Sequence, residues 1–330
     1  MGKNAKKKSR SSVPAEEHLI MPIRTSSSPT PIVDTHTHIL STFQTYRAKY
    51  KEGKHATVFD FIKAVTVEQN VQSIVDVWCE APVEKEWKEL ADSAVGEEER
   101  KEKWGGVEYW FVMGIHNANK YDDAVESTIL EAMTHPRCVG WGEIGLDYHY
   151  DNSPRDLQQA IFQRQLEHAV RLGKPLTIHT REAEEDTERI MKAVVPKEHK
   201  IHIHCFTDTP EFAGRLLEHF PNLYIGVTGV ITYSTNLNTS ATLKNMIPSP
   251  PSPDSPSPNP RILLETDGPY MVPANLYASP HMKDVSRLPL CHTGMIPWTA
   301  EFAAGVFGEG WDAERVLKVG RENAAKVYGV

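Results

Sequence analysis

Ile32-Val33-Asp34-Thr35-His36-Thr37-His38 is a short apolar run that closes on two histidines. In a β-strand successive side chains point to opposite faces, so residues two apart share a face. His36 and His38 are therefore expected to stand side by side. Four later segments repeat the pattern of an apolar run that ends in a group able to bind a cation. They are Gly142-Glu143-Ile144-Gly145-Leu146-Asp147, Leu176-Thr177-Ile178-His179, Ile201-His202-Ile203-His204 and Ile262-Leu263-Leu264-Glu265-Thr266-Asp267. Five strands that deliver His, Glu and Asp at their C-terminal ends have the layout of a metal-dependent barrel hydrolase.

Working outward, eight strand-like runs alternate with helical stretches, at 31–38, 71–77, 109–115, 138–146, 174–179, 200–205, 222–228 and 261–266. Such alternation predicts a parallel sheet. Eight strands favour closure into a (β/α)8 TIM barrel, an α/β fold whose metal site would lie at the C-terminal face of the strands. Between the fourth and fifth strands, Ser153 is predicted to cap a helix with Pro154 at its first position and Gly173 at its end. Leu157, Ile161, Leu166, Ala169 and Val170 would form its apolar stripe. Residues 83–103, dense in Lys and Glu, are predicted to be one exposed helix with Val83, Trp87 and Leu90 at helical spacing.

With 330 residues and 40% hydrophobic content, the chain can bury one large core. Residues 31–330 are expected to form the barrel. Residues 1–30 are rich in Lys, Ser and Pro and are expected to be a disordered basic tail, with Lys6-Lys7-Lys8-Ser9-Arg10 as its densest cluster. The tail carries a net +4, which leaves −12 on the remainder of a chain of net charge −8. An acidic body argues against tight wrapping of duplex DNA. It is compatible with an enzyme acting on strand ends, because bound ions supply local positive charge. The Pro-rich stretch 248–260 suits neither helix nor central strand. It is expected to be a loop insertion before the eighth strand, on the face opposite the site. The basic tail is expected to be solvated and this loop inert, with contact to a protein partner through either as the alternative.

No apolar run approaches the length of about 20 residues needed to span a bilayer, and no signal peptide is read before the first strand. Cys79, Cys138, Cys205 and Cys291 form no CxxC pair. They are expected to be reduced thiols in a cytoplasmic or nuclear protein. Cys205 is expected to face away from the neighbouring His204.

Six residues make up the candidate metal set: His36, His38, Glu143, His179, His204 and Asp267. Imidazoles and carboxylates without thiolates suit Zn²⁺, or Mn²⁺ and Mg²⁺ in an oxygen-rich site. Six ligands exceed the need of one tetrahedral ion and fit two divalent ions that share a carboxylate. Such a pair, roughly 3.5–4 Å apart, can activate a water and clamp both oxygens of an in-line displacement. His202 is read as a packed imidazole one layer deeper. Asp34 is read as orienting a ligand ring or stabilising the barrel base.

These residues also carry a family resemblance. The chain resembles the TatD family of metal-dependent deoxyribonucleases, within the amidohydrolase-like barrels. Its members show D-x-H-x-H, G-E-I-G-L-D-Y, I-H-x-R-E-A, H-C-F and L-E-T-D-x-P-Y. Here these motifs stand at Asp34–His38, Gly142–Tyr148, Ile178–Ala183, His204–Phe206 and Leu264–Tyr270. The resemblance implies that His36, His38 and Asp267 hold one ion, His179 and His204 the other, and that Glu143 bridges them. It implies that Asp267 takes the proton from the attacking water, and that His116 and Arg181 contact substrate phosphate. The implied activity is a DNase that works as a 3'-5' exonuclease on single strands or strand ends. Alternatives are D-aminoacyl-tRNA deacylation and a protein-interaction role on a metal-binding barrel. The chain departs from the family pattern at Asn117, where Pro is usual, at Cys291–Pro297, and in the Pro-rich insertion.

Overall fold

Eight parallel strands follow one another around the sheet in the order β1 to β8. In this computed structural model, which describes residues 13–26, 28–247 and 259–330, they are β1 Ile32–Thr37, β2 Val71–Trp78, β3 Glu108–Met113, β4 Cys138–Asp147, β5 Leu176–Arg181, β6 Ile201–Ile203, β7 Leu223–Val227 and β8 Ile262–Leu264. All eight fall on the predicted runs. β8 meets β1 without a regular ladder. Thr35 Oγ1 donates to Leu264 O at 3.1 Å, Asp267 N to His36 O at 2.9 Å and His38 N to Gly268 O at 3.0 Å. The barrel therefore closes through the residues that carry the candidate ligands.

Helices cover the outside, and their caps follow the sequence. Thr57 and Asp60 form a capping box at the start of Val58–Thr66, and Thr209 caps Pro210–His219. The helix after β4 runs Arg155–Leu172 and stops at Gly173, whose φ of 64° suits glycine. Its start differs from the expectation. Ser153 caps nothing; its hydroxyl accepts from Asn119 N and donates to Asn117 Oδ1, tying two loops together. Its buried face differs as well, because Gln158 and Gln165 share it with Phe162, Leu166 and Ala169. Gln165 accepts from Ile115 N and from the Trp141 indole, and Gln158 accepts from Asp147 N. The fully buried Phe162 and Leu166 each contribute roughly 1.5–3 kcal/mol.

The stretch read as one exposed helix is two, Glu86–Asp92 and Glu97–Trp104. Trp87, Leu90 and Trp104 are buried, and the Trp104 indole donates to Ser93 Oγ at 2.9 Å in the break between the helices. The tail also ends earlier than expected. Leu19 and Met21 are buried, Arg24 pairs with Glu314 at 3.2 Å, and Gln69 Nε2 donates to Met21 O at 2.8 Å. Sparse apolar residues are enough here because the barrel supplies their partners. Lys6–Arg10 and residues 248–258 of the Pro-rich insertion lie outside the described residues.

The C-terminal helix Ala313–Tyr328 supplies the barrel floor. The Tyr328 hydroxyl lies 2.7 Å from Thr177 Oγ1 and 2.9 Å from His202 Nδ1, all three residues being buried. Among the described residues no helix is long and apolar enough to cross a membrane.

Candidate metal centre

The six candidate ligands converge on one cleft at the C-terminal ends of the strands. His36 lies on β1 and His38 just beyond it, Glu143 on β4, His179 on β5, His204 just past β6 and Asp267 just past β8. The His36 and His38 ring centroids are 5.1 Å apart, and their Nε2 atoms lie 3.8 and 3.3 Å from Asp267 Oδ1. The two rings thus stand side by side. A register shift between Asp34 and Thr37 breaks the alternation that would have aligned Asp34 with them.

The two oxygens of Glu143 face different partners. Oε2 lies 3.4 Å from His36 Nε2, while Oε1 lies 2.9 Å from His179 Nδ1 and 3.1 Å from His204 Nε2. His36, His38 and Glu143 form one group able to hold an ion, and Glu143, His179 and His204 form a second. Hydrogen bonding fits that use. His38 Nδ1 faces Val77 O at 3.1 Å, so it carries the proton and leaves the Nε2 lone pair toward the cleft. His36 Nε2, which faces Glu143 Oε2, is buried without a hydrogen-bond partner. Buried polar atoms are seldom left so, and nitrogen and oxygen donors without thiolate suit a divalent cation. The residues present fit a two-ion site.

Charge is balanced inside the cleft. Burial would push Glu143 up, but His204, His179 and His36 outweigh it and hold the carboxyl well below its ordinary range. Asp267 is lowered against its burial by His38, His204 and His36. Burial opposes a charge on His38 and His179, yet Asp267 raises the first and Asp147 and Glu143 the second, each to about 9. His36 is pushed down to about 3 by burial and by the neighbouring His204.

The candidate phosphate contacts stand on the rim. Arg181 Nη2 donates to Asp147 Oδ2 at 2.8 Å, and the same oxygen lies 3.4 Å from His179 Nε2. Asp147 thereby fixes Arg181, while its approach to His179 Nε2 lacks hydrogen-bond geometry. The His116 ring stacks on His179 with centroids 5.1 Å apart, and burial lowers its pKa. The cleft encloses about 340 Å³, lined by all of these residues except the deeper His36 and by Cys79, Tyr150, Tyr270 and Met271.

One further residue escaped the sequence reading. Glu265 is fully buried, accepts from Cys205 N, and is pushed up to about 8 by that burial. Its Oε2 lies 2.8 Å from His202 Nε2, although neither atom has hydrogen-bond geometry. With His36 and His204 it makes a third group of cation-binding type. Its place two residues before Asp267, on a buried strand end, was the available signal. A Cβ at Gly226 would come within 2.6 Å of His202 Nε2 and 2.4 Å of Glu265 Oε1, so glycine there makes room for the pair. Asp34, expected to orient a ligand ring or to stabilise the barrel base, meets backbone and hydroxyl donors. It accepts from Thr266 N and Oγ1, Thr293 Oγ1 and His36 N, binding β1 to the chain beyond β8. The Cys291–Pro297 stretch therefore serves as a brace, with Cys291 N donating to Pro269 O at 2.8 Å. Cys205, at φ 42°, turns its thiol to Thr228 Oγ1 at 3.4 Å.

A family model described as TatD related DNase matches residues 33–329. The human "3'-5' RNA nuclease TATDN2" is 37% identical over 227 residues, which take up 67% of this chain and 27% of the human protein. The "3'-5' ssDNA/RNA exonuclease TatD" of Escherichia coli (strain K12) is 29% identical over 199 residues, 59% of this chain and 72% of that protein. The matched stretch thus spans only about a quarter of the human relative. Among solved structures, an uncharacterised amidohydrolase from Saccharomyces cerevisiae superposes with a TM-score of 0.70 at 17% identity, covering 91% of this chain and all of that one. The TatD homologue YJJV from Escherichia coli gives 0.65 at 18%, covering 91% and 98%. At those identities the superpositions speak for the fold alone.

Proposed function

The chain belongs to the TatD related DNase family, and from that premise we propose that it is a divalent-metal-dependent phosphodiesterase that trims single-stranded DNA or RNA from the 3' end. The observation that carries the reading is the split of Glu143, whose two oxygens face two separate histidine sets. His36, His38 and Asp267 would hold one ion, His179 and His204 the other, and Glu143 both. When bound, two divalent ions supply Lewis acidity to a phosphodiester and lower the pKa of a water.

The remaining steps belong to this chain's own side chains. Asp267 turns Oδ1 to His38 and His36, which leaves Oδ2 to take the proton of the attacking water. Its lowered pKa keeps it ionised, so that Oδ2 is an acceptor. Arg181, pinned by Asp147 and about one-third exposed, presents its guanidinium to a phosphate oxygen. His116, kept neutral by burial, can donate one hydrogen bond beside it. Asp147 acts as a positioning residue for Arg181.

The human relative is named an RNA nuclease and the Escherichia coli relative an exonuclease on both single strands, so the test offers both. Protein reconstituted with Mg²⁺, Mn²⁺ or Zn²⁺ is incubated with 5'-labelled single-stranded DNA, single-stranded RNA, duplex DNA and D-aminoacyl-tRNA. A ladder that shortens from the 3' end of either single strand is expected. Release of the amino acid with both strands intact would overturn the reading in favour of a deacylase. Inertness toward all four would favour a binding role.

A further inference from the structure

Among the described residues, the exposed large apolar side chains include two aromatic rings, Tyr150 at 62% and Tyr270 at 60%. Both line the mouth of the metal-competent cleft. They reach it from opposite sides, since Tyr150 follows β4 and Tyr270 follows β8, four strands away around the barrel in either direction. Each ring is tied to the candidate machinery through its backbone. Tyr150 N donates to Asp147 Oδ1 at 3.0 Å, and Tyr270 N donates to Asp267 O at 2.9 Å. The Arg181 guanidinium lies 4.6 Å from the Tyr150 ring centroid. The cation thus lies against that ring at the mouth of the cleft.

We propose that Tyr150 and Tyr270 are stacking platforms for the two bases that flank the scissile phosphate, so that the site selects strands with unpaired bases. This rests on the phosphodiesterase reading above. A phosphate drawn to the centre and to Arg181 leaves one nucleotide on each side, and a planar base is the group in each that an exposed ring can hold. Stacking on aromatic rings is sequence-tolerant and needs a base removed from its duplex partner. Arg181 beside Tyr150 extends that surface with a cation. Beyond Tyr270 and across Met271 lies a second cleft of about 860 Å³, lined by Tyr233, Tyr277 and Arg287, which gives the strand a path away from the centre.

Both side chains are exposed, and substitutions at such positions usually leave stability within about 0.5 kcal/mol. Tyr150→Ala, Tyr270→Ala, their double variant and the two Phe variants are compared on a 3'-labelled thymidine decamer. The control is the same strand with its last two units abasic. The readout is the ratio of kcat/KM between the two strands. A phosphorothioate copy of each strand gives binding by fluorescence anisotropy with Mg²⁺, without turnover. Stacking by one ring is worth about tenfold. The wild type is therefore expected to prefer the intact strand by about a hundredfold, each Ala to remove about tenfold and the double variant to remove the preference, while each Phe keeps it. A preference that survives in the double variant would overturn the proposal, as would Phe losses equal to those of Ala. If neither strand is cut but the binding preference follows the same series, the clamp stands and the phosphodiesterase reading falls. If neither strand is bound, both fall.

Discussion

His292 should make the barrel acid-sensitive in a defined window. Its ring is 2% exposed and both nitrogens are committed: Nε2 donates to Leu19 O at 2.8 Å, and Nδ1 accepts from Gly294 N at 3.2 Å. A proton on Nδ1 would set one N–H against another, and burial holds the imidazole down to about 4 from its ordinary 6.5. An unfolded chain takes up the proton near 6.5, whereas the folded chain refuses it until about 4. Stability is therefore complete above the higher value and declines as pH falls through the window. At 1.36 kcal/mol per pH unit, the loss approaches about 3 kcal/mol. His292→Asn keeps an acceptor for Gly294 but loses the bond to Leu19, which costs about 1 kcal/mol at neutral pH. Because Asn cannot titrate, that deficit should shrink by about 2–3 kcal/mol between roughly pH 7.5 and pH 4.5, so that the variant becomes the more stable protein. Urea unfolding at several pH values measures the gap, and the other titrating groups cancel in the difference. A gap constant across the window would refute the reasoning.

Asp267→Asn keeps a ligand oxygen but removes the base, so turnover should fall by about two to four orders of magnitude. Single-turnover strand cleavage, beside an unchanged circular dichroism spectrum, checks this. Tyr328→Phe leaves the buried His202 Nδ1 and Thr177 Oγ1 without the shared hydroxyl. It should destabilise the fold by about 1–3 kcal/mol, readable as a shift in denaturant midpoint at unchanged slope.

The strands were legible as apolar runs, five of which end in a group able to bind a cation, and the closure of the barrel brings those ends together. His36, His38, Glu143, His179, His204 and Asp267 meet in one cleft for that reason. What escaped depends on partners distant in sequence. Gln158 and Gln165 look like surface residues until Asp147 and Ile115 supply buried backbone for them to bind. Tyr328 reads as an ordinary helix end, and only the folded barrel places its hydroxyl under His202. The spacing of Glu265 to Asp267 hints at a shared face, but only the fold shows its full burial. Residues 16–24 lack periodicity, yet Leu19 and Met21 are buried because the barrel offers a surface for them. Asn117, where the family pattern has Pro, is explained by a contact: its side-chain oxygen accepts from Ser153.

The central claim is that one carboxylate, Glu143, joins two ion sites. Metal content after exhaustive dialysis of wild type and Glu143→Ala, loaded with the same divalent ion and analysed by elemental mass spectrometry, tests it directly. The two histidine sets at the two Glu143 oxygens predict close to two equivalents in the wild type, with occupancy of both sites reduced in a folded Glu143→Ala protein. A single equivalent in the wild type, unchanged by the substitution, would contradict it.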